Sequence, residues 1–160
     1  MSRGHIFYDA IHKRERTIEE FQLGKNESKF DILRLHNEGV EYAFDLLTKN
    51  CTKYGIRREW RDFGIPSDAK SVGEGCIGSC RVERAGLLVT QWEDEFKNRE
   101  GEAMYWFGEW TYEACLPVKL ELYKKESKDE KSIHSHDMFA DITPGVAAEA
   151  FLVRKECANL

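Results

Sequence analysis

Apolar and polar residues alternate along most of this chain. In Val40-Glu41-Tyr42-Ala43-Phe44-Asp45-Leu46, period two puts Val40, Tyr42, Phe44 and Leu46 on one face, which is the pattern of a half-buried strand. Asn37-Glu38-Gly39 just before it reads as a tight turn, and residues 30–35 as the hairpin partner. Residues 14–21 alternate less cleanly but are rich in β-formers. Residues 86–92, 104–112, 118–123 and 132–142 continue the series, with a charged turn over 124–131. Strands recurring at roughly 10–15 residues, without amphipathic helices between them, predict an antiparallel meander and an all-β sandwich or barrel. One short helix is expected over 146–153, after Pro144-Gly145. Residues 60–75, broken by Gly64, Pro66, Gly73 and Gly75, are the least regular stretch.

The run Ala103-Met104-Tyr105-Trp106-Phe107-Gly108-Glu109-Trp110-Thr111-Tyr112 stands out. Extended, it puts Met104, Trp106, Trp110 and Tyr112 on one face, with Gly108 between the two tryptophans. A glycine there invites a bend or a close backbone approach, or leaves a hollow for something else to fill. The face reads either as ordinary core or as the wall of a ligand pocket. Leu88, Thr90 and Trp92 form a further candidate wall, with Leu87, Val89 and Gln91 as the alternative inward set.

A length of 160 residues fits one domain. The net charge of −5 and pI of about 5.6 give no electrostatic reason to bind nucleic acid. No apolar stretch is long enough to span a membrane as a helix. The N-terminus has no signal-peptide apolar region, which taken alone points to the cytosol. The five cysteines pull the other way, and their odd number leaves at least one thiol unpaired or paired with another chain. Two glycosylation sequons, at Asn26 and Asn50, matter only in a secreted chain.

Three clusters invite chemistry. On a straight strand His134 and His136 of His134-Ser135-His136-Asp137 share a face, as two metal ligands would, but a polar, solvent-facing side of the strand is the better reading and no third ligand is evident. Cys76 and Cys80 lie about 13 Å apart on a straight strand at roughly 3.3 Å per residue, too far to bridge; a turn at Gly78-Ser79 would allow a small-loop disulfide. Glu93-Asp94-Glu95, with Glu100 and Glu102, offers carboxylates for calcium but no EF-hand spacing, and reads as a solvated turn. No nucleophile elbow, phosphate loop or dinucleotide fingerprint is present.

The ordered pieces resemble the ependymin family. They run from Phe7-Tyr8-Asp9, Phe30-Asp31-Ile32-Leu33-Arg34-Leu35 and Glu38-Gly39-Val40 through Thr48-Lys49-Asn50-Cys51, Trp60, Ile65-Pro66 and Ile77-Gly78. They continue with Leu88-Val89-Thr90-Gln91-Trp92, Trp106 with Gly108, and Cys115-Leu116-Pro117-Val118. Phe139, Asp141-Ile142, Gly145-Val146, Phe151 and Cys157 close the set. The resemblance implies a secreted or lysosomal glycoprotein, without enzymatic activity, that forms homodimers, is associated with calcium and binds hydrophobic molecules such as lipids. It implies a curved two-sheet antiparallel fold around an apolar pocket, similar to bacterial lipoprotein-carrier domains. It also implies a Cys51–Cys157 disulfide. The family's partner for Cys115 has no counterpart here, nor do its signal peptide and opening strand. Cys76, Cys80 and Cys115 are therefore expected to be unpaired or rewired, with Cys115 joined to Cys76 or Cys80 as one option.

The expected function is non-covalent transport or sequestration of a lipid or fatty acid by a single ependymin-like domain over 1–160. Tyr42, Phe44, Leu88, Trp92, Met104, Trp106, Gly108, Trp110 and Tyr112 would line the pocket, and Asn26 and Asn50 would carry glycans. The rival is an extracellular, calcium-dependent adhesion or interaction module.

Overall fold

In the computed structural model the chain is described over residues 2–56, 59–98, 100–125 and 131–160. It is all-β, built of two antiparallel five-stranded sheets, neither of them closed. It divides into two compact units, Met1–Phe63 with Thr143–Leu160, and Gly64–Ile142.

The first unit holds β1 (Ser2–Asp9), β2 (Arg14–Leu23), β3 (Asn26–Leu35), β4 (Val40–Asp45) and β5 (Cys51–Gly55), paired in chain order. The expected turn after β3 forms as drawn from the sequence: Leu35 pairs with Val40, and Gly39 takes a positive φ of 68°. Asp45 shapes the next turn, its Oδ1 accepting from the backbone N–H groups of Leu47 at 2.8 Å and Thr48 at 3.0 Å. Such aspartate turns replace backbone hydrogen bonds that the reversing chain gives up. The expected helix over 146–153 is shorter and tighter than a standard helix. It is a 3-10 turn at Ala148–Phe151, followed by a second at Lys155–Cys157.

The second unit holds β6 (Lys70–Gly78), β7 (Gly86–Lys97), β8 (Ala103–Thr111), β9 (Pro117–Lys125) and β10 (Lys131–Met138), again a meander. Here the strands differ from expectation in three ways. The irregular stretch ends sooner, because β6 begins at Lys70. Strand β7 runs on to Lys97, so the acidic residues 93–95 lie inside a strand rather than in a turn. The last strand stops at Met138. Most of the expected charged turn, residues 126–130, lies outside the described residues.

The β6–β7 connection depends on two glycines facing each other in register. A Cβ at Gly78 would lie 2.4 Å from the Ala85 carbonyl oxygen, and one at Gly86 would lie 2.6 Å from the Cys80 nitrogen. No side chain fits either gap. The turn at Gly78 (φ 83°) brings Cys76 and Cys80 to a Cα separation of 6.0 Å, and they are bridged. The straight-strand geometry that would forbid the bridge does not occur. Cys115 is free and exposed, so the option of joining it to Cys76 or Cys80 is not taken.

Candidate ligand-binding face

Antiparallel register decides which side chains share a face. In the second unit, Trp92 pairs with Gly108, Asp94 with Trp106 and Phe96 with Met104. On the other side of β8, Trp106 pairs with Leu122 and Gly108 with Leu120. Directly opposed residues point the same way. One face of this sheet therefore carries Trp92, Phe96, Met104, Trp106, Trp110, Leu120 and Leu122, with Gly108 at its centre. Met104 and Trp110 are buried, each 3% exposed, and Trp92, Phe96 and Trp106 are half-buried. Thr90 shares this face, and its Oγ1 accepts a hydrogen bond from Trp92 Nε1 at 3.1 Å. Of the two inward sets considered for β7, the aromatic face takes Leu88, Thr90 and Trp92. Val89 is nonetheless the most buried residue of that strand, on the opposite face. Leu88 and Tyr112 lie at the sheet's end and are 41% and 53% exposed.

The space above Gly108 is not an empty hollow. A Cβ there would meet Trp106 Cη2 at 2.6 Å, Trp106 Cζ2 at 2.8 Å and Trp110 Nε1 at 3.0 Å. The two indoles close over the glycine backbone, so the room that a missing side chain leaves is taken by its neighbours. This corrects the picture of a ligand slot between Trp106 and Trp110.

The sequence reading missed Phe96, Leu120 and Leu122, and with them Asp94. The signal was there: the alternation that ends in Trp92 continues through Asp94 to Phe96. Asp94 stands between Trp92 and Phe96 on its own strand and opposite Trp106. It is half-buried, and among the described residues no hydrogen bond or ion pair engages its carboxylate.

Glu93 and Glu95 point the other way, since successive strand residues alternate. Tyr105 Oη donates to Glu93 Oε2 at 2.9 Å. Burial first, then this hydrogen bond and the Glu93 charge, push the Tyr105 phenol up to about 12. Lys125 Nζ bonds Glu95 at 3.0 Å, and Lys124 pairs with Glu102 at 2.7 Å. The carboxylates considered for calcium are thus split between two faces and largely engaged. The histidine pair is split as well. The β9–β10 register shifts between Ile133 and Ser135, so His134 is the extra residue of a bulge and simple alternation with His136 is lost. His136 Nδ1 lies 3.2 Å from Glu121 instead. Among the described residues no three His, Cys, Asp or Glu side chains converge on a metal position.

In the first unit, Tyr42 and Phe44 share a face with Arg16, Asp31 and Leu33. That face is covered by the unit's own C-terminal segment. Phe44 is 1% exposed, and the Arg154 guanidinium lies 4.4 Å above its ring. Asp31, 2% exposed, accepts from Arg16 Nε at 2.6 Å and from Arg154 Nη1 at 3.0 Å. Arg16 also donates to the Ala150 carbonyl at 2.9 Å. A buried carboxylate is tolerable only when paired and hydrogen-bonded in this way. The recess left here is about 10 Å³, room for about one water and far below the roughly 300–1,000 Å³ of ordinary ligand pockets. Tyr42 and Phe44 therefore lie beneath a segment of chain instead of forming an open wall.

Cys157 is also buried in this unit and is bridged to Cys51 with a Cα separation of 5.5 Å, the pairing that the resemblance implied. The family model described as Ependymin matches residues 24–157. The chain belongs to the ependymin family. Mammalian ependymin-related protein 1 of Mus musculus is 28% identical over 119 residues, which is 74% of this chain and 51% of the relative. Ependymin-1 of Oncorhynchus mykiss is 30% identical over 116 residues, 72% of this chain and 51% of the relative. The chain thus spans about half the length of the curated relatives it matches. Within this ependymin-family chain the two sequon asparagines, Asn26 and Asn50, are both exposed. No described helix is long and apolar enough to cross a membrane.

Proposed function

We propose that this protein is a non-enzymatic carrier that transports or sequesters a hydrophobic ligand, a lipid or fatty acid. The observation behind the reading is the aromatic face of β7, β8 and β9. Three tryptophans, a phenylalanine, a methionine and two leucines share it, and the described part of this unit contains no helix to cover it. An acyl chain laid against such a surface gains roughly 0.8 kcal/mol per buried methylene. Twelve methylenes supply roughly 10 kcal/mol before the entropy of association is subtracted. The two disulfides and the exposed sequons are what an oxidising, extracellular or lysosomal setting would favour. Glycans on Asn26 and Asn50 belong to the same reading. So does a homodimer, for which exposed Ile77, Leu87 and Leu88 offer apolar surface.

Native mass spectrometry of protein from a eukaryotic host tests the proposal, with co-purified lipid as the expected result. Trp106→Ala is the cleaner probe of the face, because Trp106 is half-buried whereas truncating the buried Trp110 costs about 3–5 kcal/mol of stability. Trp106→Ala should weaken binding of a fluorescent fatty acid while the protein stays folded. Absence of bound lipid together with unchanged affinity in Trp106→Ala would overturn the carrier reading.

A further inference from the structure

A face built only to hold a hydrocarbon chain has no use for a bare carboxylate. Asp94 is one, set among Trp92, Phe96 and Trp106 in register. Its strand neighbours Glu93 and Glu95 face the other side, where Tyr105 and Lys125 engage them. Lysines do lie nearby on this sheet. Yet Lys124 is spent on Glu102, Lys125 on Glu95 and Lys119 on Glu109 and Glu121. The protein satisfies the neighbouring carboxylates and leaves this one. Desolvating an unpaired carboxylate against an apolar ligand is costly, whereas a cation on that ligand removes the cost. Tryptophan and phenylalanine rings also attract cations, and aromatic surfaces joined with carboxylates are a general way to hold ammonium groups.

We infer that the aromatic face selects amphiphiles whose polar end is an ammonium group, with Asp94 as its counter-ion and Trp92, Trp106 and Phe96 as its walls. This rests on the carrier reading and adds the chemical class of the headgroup. The apolar tail then runs along the half-buried Leu120 and Leu122. A quaternary choline-type head and a primary amine on a long chain both satisfy this chemistry. Fatty acids bind the same face through their tails but less tightly, because their carboxylate is repelled by Asp94.

The test uses two ligands with the same twelve-carbon tail below their micellar concentrations, cationic dodecyltrimethylammonium and neutral dodecylglycerol. Affinities are measured calorimetrically at fixed ionic strength on the full chain and on Asp94→Asn and Glu95→Gln. Wild type should bind the cationic ligand about tenfold more tightly than the neutral one. Asp94→Asn should remove that preference and leave the neutral affinity in place. Glu95→Gln, altered on the opposite face, should keep it. Equal wild-type affinities, or a preference that survives in folded Asp94→Asn, overturn the inference while the carrier reading stands. Binding of neither ligand overturns both. Choline without a tail should bind far more weakly than dodecyltrimethylammonium, and equal binding would also overturn the amphiphile assignment. If Asp94→Asn loses its near-ultraviolet circular dichroism, the wild-type comparison of the two ligands decides the matter alone.

Discussion

Replacing Gly108 by alanine puts the packing of the aromatic face to a direct test. The added Cβ would lie 2.6 Å and 2.8 Å from two carbons of the Trp106 ring and 3.0 Å from Trp110 Nε1. Carbon pairs settle at roughly 3.5–4.0 Å, so the Trp106 ring must retreat by about 1 Å. Overpacking of this kind costs about 1–3 kcal/mol. Against it stands a gain of about 0.4–1 kcal/mol, because alanine restricts the unfolded chain more than glycine does. Gly108 does not occupy the positive-φ region, so backbone strain adds nothing. The expected net effect is a loss of about 1–2 kcal/mol in urea unfolding, with a changed near-ultraviolet tryptophan spectrum. Trp106→Ala in the Gly108→Ala background should relieve the clash, giving a coupling of about 1 kcal/mol or more between the two sites. A Gly108→Ala protein as stable as wild type or more so, with an unaltered spectrum, would refute the reasoning. That outcome would mean that the indoles leave the hollow open for a ligand.

The two disulfides should differ in worth. In the chain-entropy treatment, removing Cys51–Cys157, which spans 106 residues, costs about 4.8 kcal/mol, against about 2 kcal/mol for Cys76–Cys80; denaturant melts of the paired alanine variants check the order. Asp31→Asn leaves Arg16 and Arg154 without their shared carboxylate and should cost about 3 kcal/mol, whereas Asp62→Asn, on exposed Asp62, should cost far less. Tyr105, raised to about 12, is protonated more firmly in the folded state than unfolded near 10. Its contribution to stability is therefore complete below pH 10 and is lost as pH rises through 12. Tyr105→Phe should delete the last phase of tyrosinate absorbance in an alkaline titration of the folded protein. Asp9 is the mirror case. Burial raises its pKa, but the His12 backbone and side chain and Arg14 outweigh that and hold it at about 2, so its stabilisation should fade between pH 4 and pH 2 in acid melts.

Which strands were legible depended on how many sides they bury. Strands β3, β4, β7, β8 and β9 are flanked on both sides in their sheets, and their alternation is visible in the residues. Strands β1, β5 and β6 are sheet edges, largely exposed, and with little surface to bury they carry little pattern; the fourth edge, β10, was nevertheless read as a strand over 132–142. In β6 the glycines at 73, 75 and 78 weaken it further. The extension of β7 through residues 93–97 was hidden for another reason. Its charged residues suggested solvent, yet they alternate between a polar face, where Glu93 and Glu95 find partners, and an aromatic one, where Asp94 finds none among the described residues.

The sequence by itself determined an antiparallel, all-β meander and the parity of the aromatic strand, because period two is a property of the extended backbone and needs no partner to be read. It also carried the family and, through the family, the Cys51–Cys157 pairing. Only the tertiary structure decided what stands over each face. Asp31 meets Arg16 from 15 residues away and Arg154 from 123, which brings the C-terminal segment down over Phe44. The Cys76–Cys80 bridge exists because Gly78 turns the chain. Above Gly108 the backbone leaves a gap, and side-chain rotamers fill it with Trp106 and Trp110. Alternation fixes the direction in which a side chain leaves the strand, whereas its neighbours in space fix where it comes to rest.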